Sequence, residues 1–280
     1  MKEGYTPGRS LLRHLAPNGA LDLSQRFEKE NSSYPSETFR AGWRVHDSTL
    51  SDYGRFFQPV LGSAMLPGFL HDRVQSRGYT TILDLMASEM AVAQAVQLGF
   101  HKGLAMSLGF EHEREWDREL GIGTVQTIND DIASVESWEK VRVWSTTHTK
   151  NGIDVVLARP EGGLRSDCIP LKPALYFRLL QNMWKVTAEG GVLIFQTPNA
   201  LASVAQQYFS QLRDAGIDVR VPQLVDNHET VRNPFGAKIL YGFPVKIEKA
   251  EGAPRLLPQP HIPERYAAEF KEYLKLVGLE

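Results

Sequence analysis

The segment Ala158–Leu164 carries the residue types in this chain best suited to chemistry. It reads Ala-Arg-Pro-Glu-Gly-Gly-Leu and directly follows a hydrophobic run. Arg159 can hold a carboxylate or phosphate through two parallel hydrogen bonds, and Glu161 can act as a general base for a hydroxyl or amine. The alternative is an ordinary turn, in which Arg159 pairs structurally with Asp154 or Asp167. From the residues alone both interpretations stay open.

A carboxylate also closes the apolar run Ile82–Leu85, and a helical pattern, Ala91–Leu98, follows it. A strand that feeds a helix in this way places the free N–H groups of the helix N-terminus beside any ligand bound above the sheet. We therefore expect Asp84 to orient a ligand. The alternative is that Asp84 caps the helix that follows it.

Other polar residues give weaker signals. The pair Asp130-Asp131 either contacts a ligand or precedes a helix with Ser134 as its N-cap. His148 and His112 lie among polar or charged neighbours, which favours a solvated position over a catalytic one. His228, in a polar loop, is a weak candidate for a base. We assign no metal site.

Composition excludes several classes of protein. The 280 residues are 42% hydrophobic, so the chain can bury a sizeable core. The 31 basic and 33 acidic residues leave a net charge of −2, without the basic excess typical of nucleic-acid or membrane-surface binding. The only cysteine, Cys168, excludes an internal disulfide and lacks a neighbouring base that would make it a nucleophile. No apolar stretch suits a signal peptide or a membrane span, which predicts a cytoplasmic protein.

The elements that must position these residues alternate between strand and helix. Strands are predicted at 81–85, 102–107, 124–128, 153–158, 191–196, Ile217–Val221 and Lys238–Ile247. Helices are predicted at 90–98, 111–120, 134–144, 171–186 and Asn199–Ala215, with a short helix at Tyr266–Val277 after a proline-rich linker. Helical spacing also runs from Thr49 to Arg77, where Pro59 and Pro67 are expected to divide it. This alternation favours a parallel sheet covered by helices on both faces.

The order of elements resembles the class I S-adenosylmethionine-dependent methyltransferases over about residues 79–248. In that family an acid closes the first strand and a G-x-G-x-G loop follows; here Asp84 matches the acid. The glycine positions fall on Met86, Ser88 and Met90, and the acid that holds the ribose falls on Ala105. The segment Glu189–Phe195 (EGGVLIF) is similar to the turn before the family's fifth strand.

The resemblance implies a set of site residues. Asp131 matches the adenine-contacting residue after the third strand, and Arg159 and Glu161 lie in the loop that faces the substrate and are the catalytic candidates. The cofactor-binding positions are then Asp84, Met86, Ala87, Ser88, Glu89, Ala105, Met106, Asp131, Ile132 and Ala158.

The expected fold is an α/β, Rossmann-like methyltransferase fold with a mostly parallel seven-stranded sheet, helices on both faces and an N-terminal helical cap. We expect an arm and cap at 1–78, the α/β domain at 79–250 and a linker with a short helix at 251–280. The implied activity is S-adenosylmethionine-dependent methylation of a small molecule or protein. The alternative is a methyltransferase-like protein that has lost catalysis and serves as a binding or assembly partner. An NAD(P)-dependent oxidoreductase is disfavoured because the first loop lacks G-x-G-x-x-G.

Overall fold

The computed structural model describes residues 50–85, 89–107, 124–130, 132, 135–158, 172–197, 201–222 and 242–261. The predicted helices at 111–120 and Tyr266–Val277, and the arm at 1–45, lie outside these ranges. Within them, no helix combines the length and the apolar character that crossing a bilayer requires.

Helices and strands alternate along the described chain after an initial pair of helices. The helices are α1 (Leu50–Leu61), α2 (Leu66–Ser76), α3 (Glu89–Gln97), α4 (Val135–His148), α5 (Lys172–Val186) and α6 (Ala202–Asp214). The strands are β1 (Thr81–Leu85), β2 (Lys102–Ser107), β3 (Thr124–Asn129), β4 (Ile153–Ala158), β5 (Thr187–Thr197), β6 (Asp218–Arg220) and β7 (Phe243–Glu248).

The described strands form one seven-stranded sheet in the order β3-β2-β1-β4-β5-β7-β6. Neighbours from β3 to β5 are parallel, whereas β7 is antiparallel to both β5 and β6. The predicted fold class is therefore confirmed: a mostly parallel α/β sheet of the Rossmann-like kind, closed by an antiparallel strand pair.

Side chains alternate between two buried faces because successive residues of a strand point to opposite sides. We call the side covered by α1, α2 and α3 the front face; it carries Ile82 and Leu157. The side covered by α4, α5 and α6 is the back face; it carries Leu83 and Met106. Helices on both faces explain why β1 and β4 are buried along their whole length.

The helical segment before the sheet lies on the front face. Gln94 of α3 accepts a hydrogen bond from the backbone N–H of Leu50 at 2.8 Å, which ties the start of α1 to α3. The first helix ends just before Gly62, whose φ of 76° is not compatible with a continuing α-helix. Pro67 lies in the first turn of α2, as its missing N–H allows, while Pro59 is contained within α1.

The strand β5 begins at Thr187, earlier than the predicted 191, because a tight turn interrupts it without ending its pairing. Thr187 pairs with Ile153, and the register then shifts before β5 continues beside β4. Gly190 adopts a φ of 70° at this turn. A Cβ on Gly191 would lie 2.7 Å from the Ala188 carbonyl oxygen, so the turn requires glycine there.

Two other boundaries differ from the prediction. The helix α4 continues to His148, which the sequence places in a polar connector; in its last turns the hydroxyls of Thr146 and Thr147 both donate to the Val143 carbonyl. The strand β7 begins at Phe243 rather than at Lys238, although residues 238–241 lie outside the described ranges.

The proline-rich stretch after β7 packs against the back-face helices. The Gln181 side chain of α5 donates to the Leu257 carbonyl at 2.6 Å and accepts from its N–H at 3.1 Å. Trp184 and Tyr208 donate to the carbonyls of Pro254 and Pro258. We call this stretch, residues 251–261, the strap.

Candidate active site

The carboxyl ends of β1 and β4 are the natural place for a ligand in this sheet. The chain leaves β1 through α3 on the front face toward β2, and leaves β4 toward α5 on the back face and then β5. The two connections therefore diverge, and a crevice opens between neighbouring parallel strands at such a switch point.

Asp84 lies at this point, beside Ala105 of β2 and Leu157 of β4. Its side chain is 0% exposed, and alternation along β1 directs it to the front face. A buried carboxylate is costly unless hydrogen-bonded or matched by positive charge, so its environment must supply donors. The helix α3 begins at Glu89, and residues 86–88, which connect it to β1, lie outside the described residues, so the alternative that Asp84 caps this helix stays a prediction.

The residue next to Asp84 on β2 is Ala105, also 0% exposed and on the front face. The two strands pack closely against α3: a Cβ on Gly103 would lie 2.3 Å from a Val92 methyl carbon. Ala105 thus contributes only a methyl group to a tightly packed layer.

Met106 and Ile132 belong to one buried cluster on the back face. Trp138, in the first turns of α4, donates its indole N–H to the Ile132 carbonyl at 2.6 Å and so holds the segment after β3. Sequence analysis missed Trp138. A tryptophan one turn after the predicted N-cap, Ser134, is the pattern that could have identified it. Asp130 forms an ion pair with Lys140 of α4 at 3.0 Å, which supports a structural role for that residue.

The segment Ala158–Leu164 is described only at its first residue. Ala158 ends β4 beside Leu85 and Phe195 and is buried on the back face. Arg159 and Glu161 lie outside the described residues, as do the loop positions Met86, Ala87 and Ser88, together with Asp131, Cys168, His112 and His228.

Asp154, one suggested partner of Arg159, has other partners at the opposite edge of the sheet. Its carboxylate accepts a hydrogen bond from Arg77 at 2.9 Å and from the backbone N–H of Thr81 at 2.8 Å. Four residues of strand, roughly 13 Å, separate Asp154 from Ala158. Asp154 therefore has its own partners at the amino edge, while Arg159, the other half of the suggested pair, lies outside the described residues.

The carboxyl end of β5 adds two polar residues that sequence analysis missed. Thr197 bonds the phenol of Tyr176 at 2.8 Å on the back face. Burial, the largest cause, raises the pKa of Tyr176 well above its usual range, so the phenol stays neutral. Gln196 points to the front face and is 5% exposed. In the sequence these two residues could have been identified as a polar Gln-Thr pair that directly follows an apolar run.

His148 lies far from this edge. Since α4 follows β3, it runs from the carboxyl edge back toward the amino edge, and His148 is its last residue. Its ring packs against Trp144 with 5.3 Å between centroids.

No protein-family model matches the sequence, and no curated protein matches it either. Among solved structures, an rRNA methylase from Streptococcus thermophilus is similar at 13% identity and a TM-score of 0.40, covering 65% of this chain and 95% of the methylase. A putative methyltransferase from Streptococcus mutans, in complex with SAH, gives 14% identity and a TM-score of 0.39 over 65% of this chain and 96% of its own.

The MycE methyltransferase of the mycinamycin biosynthetic pathway, in complex with Mg and SAH, gives 13% identity and a TM-score of 0.39. The match covers 82% of this chain and 55% of MycE, so the chain spans about half of that protein. All three TM-scores are below 0.5, and the fold assignment rests on the observed strand order rather than on these likenesses.

Proposed function

We propose that the protein is an S-adenosylmethionine-dependent methyltransferase whose acceptor is a small molecule or a protein. The observation that carries the proposal is Asp84, a fully buried carboxylate at the switch point of a 3-2-1-4-5-7-6 sheet. A functional role explains why an acid is kept at the ligand edge, where an apolar residue would pack at lower cost.

The residues around the crevice suit this cofactor in chemical type. Asp84 offers a carboxylate to a cationic ligand, and α3 begins directly after the β1 loop with its N–H groups toward the same edge. Met106 and Ile132, which we assign to the adenine side, lie with Trp138 in a buried apolar cluster on the back face, beside β2 and β3. The cofactor supplies a methyl group activated by a sulfonium, so transfer depends mainly on positioning the acceptor in line with it.

The acceptor side is assigned to the loop after β4. In this proposal Arg159 holds an anionic part of the acceptor, and Glu161 takes the proton that a hydroxyl or amine loses as it is methylated. The acceptor's lone pair forms the new bond to carbon, and the electrons of the broken carbon–sulfur bond stay on sulfur. The resulting loss of positive charge at sulfur needs no further redox partner.

A second candidate function is a binding or assembly partner that retains the fold without catalysis. Ala105 favours it, because a buried methyl group beside Asp84 leaves the ribose of the cofactor without its usual acceptor. Loss of a charge-assisted hydrogen bond costs about 1.5–3 kcal/mol, or roughly 10- to 100-fold in affinity.

Calorimetry with S-adenosylmethionine and SAH distinguishes the two candidates. We expect saturable binding by the unaltered protein, and a loss of at least about tenfold in affinity in Asp84→Asn, which removes the charge while keeping the shape. The matched control is Asp154→Asn, a second buried strand carboxylate whose partners lie at the amino edge.

Asp154→Asn should lower the thermal midpoint and leave cofactor affinity within about twofold, since it breaks a network remote from the crevice. Absence of binding by the unaltered protein at millimolar ligand would contradict the methyltransferase proposal and favour the second candidate. Equal loss of binding in both variants would show that Asp84 acts only through stability.

A further inference from the structure

Gln196 lies on the same face of the sheet as Asp84 and at the same edge. Ile194 belongs to the front-face cluster and Phe195 to the back-face cluster, so alternation returns Gln196 to the front. Asp84 of β1 pairs with Leu157 of β4, and Leu157 pairs with Ile194 of β5, so the three residues lie side by side across the sheet. Gln196 lies two residues beyond Ile194, toward the carboxyl edge.

This position puts Gln196 beside the crevice without overlapping Asp84. The strand β4 separates the two residues, so they are roughly 10 Å apart across the sheet and about 7 Å apart along it. On this face Gln196 lies opposite Pro244 of β7, and Ile194 and Leu157 are fully buried. A charged neighbour toward β7, Lys246 opposite Ile194, is ion-paired with Glu248 at 2.7 Å.

The Gln196 amide oxygen is buried and has no hydrogen-bond partner within the described part of the protein. Such an acceptor loses its hydration without compensation, which natural proteins rarely tolerate away from functional sites. Its neighbour Thr197, by contrast, is bonded to Tyr176. Among the described residues the Thr80 hydroxyl and the Trp144 indole N–H are also buried without a hydrogen-bond partner, but they belong to the amino side of β1 and to the later turns of α4.

We propose that the Gln196 amide oxygen accepts a hydrogen bond from a neutral O–H or N–H group of the methyl acceptor and so selects acceptors with such a donor on an apolar body. The inference rests on the proposed function. An amide oxygen can only accept, which fixes the polarity of its partner. A neutral amide near the Lys246 ammonium suits a neutral donor, because a buried cation would require a carboxylate of its own to match it.

The probes are phenol and aniline, each compared with its methylated counterpart, anisole and N,N-dimethylaniline, which lack the donor. Binding is measured by ligand-observed NMR with and without saturating SAH. We expect the unaltered protein to prefer phenol over anisole, and aniline over its dimethyl derivative, by about tenfold, as one buried hydrogen bond predicts.

Two variants remove the acceptor while keeping volume: Gln196→Met, which is nearly isosteric, and Gln196→Leu. Both should bind the members of each pair equally and keep SAH affinity within about twofold. Because the oxygen has no partner in the free protein, both should have an unchanged or raised thermal midpoint. Thr80→Val is the matched control: it also removes a buried hydroxyl without a partner and should alter neither preference.

Three results overturn the proposal: no donor preference in the unaltered protein, a preference that survives in Gln196→Met, or a lower thermal midpoint in Gln196→Met than in the unaltered protein. The last would show that the amide has a structural partner. Failure of the unaltered protein to bind SAH counts against the proposed function instead, and the measurements without SAH then decide whether Gln196 binds a donor.

Discussion

At the scale of single residues, Asp84 and Asp154 show that burial alone does not identify a functional carboxylate. Both are buried strand residues on neighbouring strands. Arg77 and Thr81 donate hydrogen bonds to Asp154 at the amino edge of the sheet. Asp84 lies at the carboxyl edge beside the switch point. Position relative to strand direction therefore distinguishes the ligand-binding role that we propose for Asp84 from the structural contacts of Asp154.

Tyr176→Phe tests the buried polar pair at the end of β5. It leaves the Thr197 hydroxyl buried without a partner, so we expect unfolding free energy to fall by about 1–3 kcal/mol. The double variant Tyr176→Phe with Thr197→Val removes both groups and should recover part of this loss. Chemical denaturation of the three proteins at pH 7 measures it; equal stability of the double and single variants would contradict the assignment.

The hydrogen-bonded pair Tyr176 and Thr197 also predicts that the free energy of unfolding depends on pH. Burial raises the folded-state pKa of Tyr176 above its unfolded value, so its contribution to stability is fully present below pH of about 10. It is lost as pH rises from about 10 toward the folded pKa, because the unfolded chain ionises first. The stability difference between the unaltered protein and Tyr176→Phe should thus shrink above pH 10 in urea melts; a constant difference would contradict this.

A candidate site residue can be predicted from the sequence when the pattern that identifies it lies in the residues next to it along the chain. Asp84 is identifiable because an acid ends an apolar run just before a helical pattern. Gln196 and Trp138 are not, since their places depend on register and on a contact between α4 and the segment after β3. The partners of Asp154 depend on Arg77, which is far away in sequence.

At the scale of elements, apolar runs predict the central strands because both of their faces are buried. β1, β2 and β4 have the predicted limits. The start of β5 is hidden because glycines at 190 and 191 look like the end of a turn, while Thr187 already pairs with Ile153. The residues that form the turn also belong to the paired strand, and only the observed register shows that the strand starts before the turn.

Gly191→Ala tests the turn within β5. The added Cβ would meet backbone oxygens of Ala188 and Ile153, atoms that cannot rotate away, so we expect a loss of about 1–3 kcal/mol in unfolding free energy. Gly68→Ala is the control: its Cβ meets nothing within 4 Å, and alanine in helix α2 should stabilise by about 0.5–1 kcal/mol. Thermal melts that shift in the same direction for both would refute the steric explanation.

At the scale of the whole molecule, the strap extends the back-face core beyond the sheet. Leu257 is 2% exposed and belongs to the same cluster as Tyr208 and Trp184, whose polar atoms bind the strap carbonyls on either side of it. The proline-rich composition that predicts a linker is equally compatible with an extended segment bound through its carbonyls, because proline lacks only the donor.

Leu257→Ala should lower unfolding free energy by about 2–5 kcal/mol, since it leaves a cavity in this cluster. Its neighbour Leu256 is 51% exposed, and Leu256→Ala should change stability by less than about 0.5 kcal/mol. Denaturant melts of the two variants make a matched comparison. Similar small effects from both would mean that the strap is peripheral to the core.

The antiparallel insertion of β7 has a consequence for how the chain assembles during synthesis. β7 lies between β5 and β6 in the sheet, yet it follows both in the sequence. Until residues 243–248 leave the ribosome, the apolar strand β5 presents an unpaired edge and β6 has no partner among the described strands. An open edge of this kind recruits other chains, so the nascent protein is most exposed to aggregation between completion of β5 and arrival of β7.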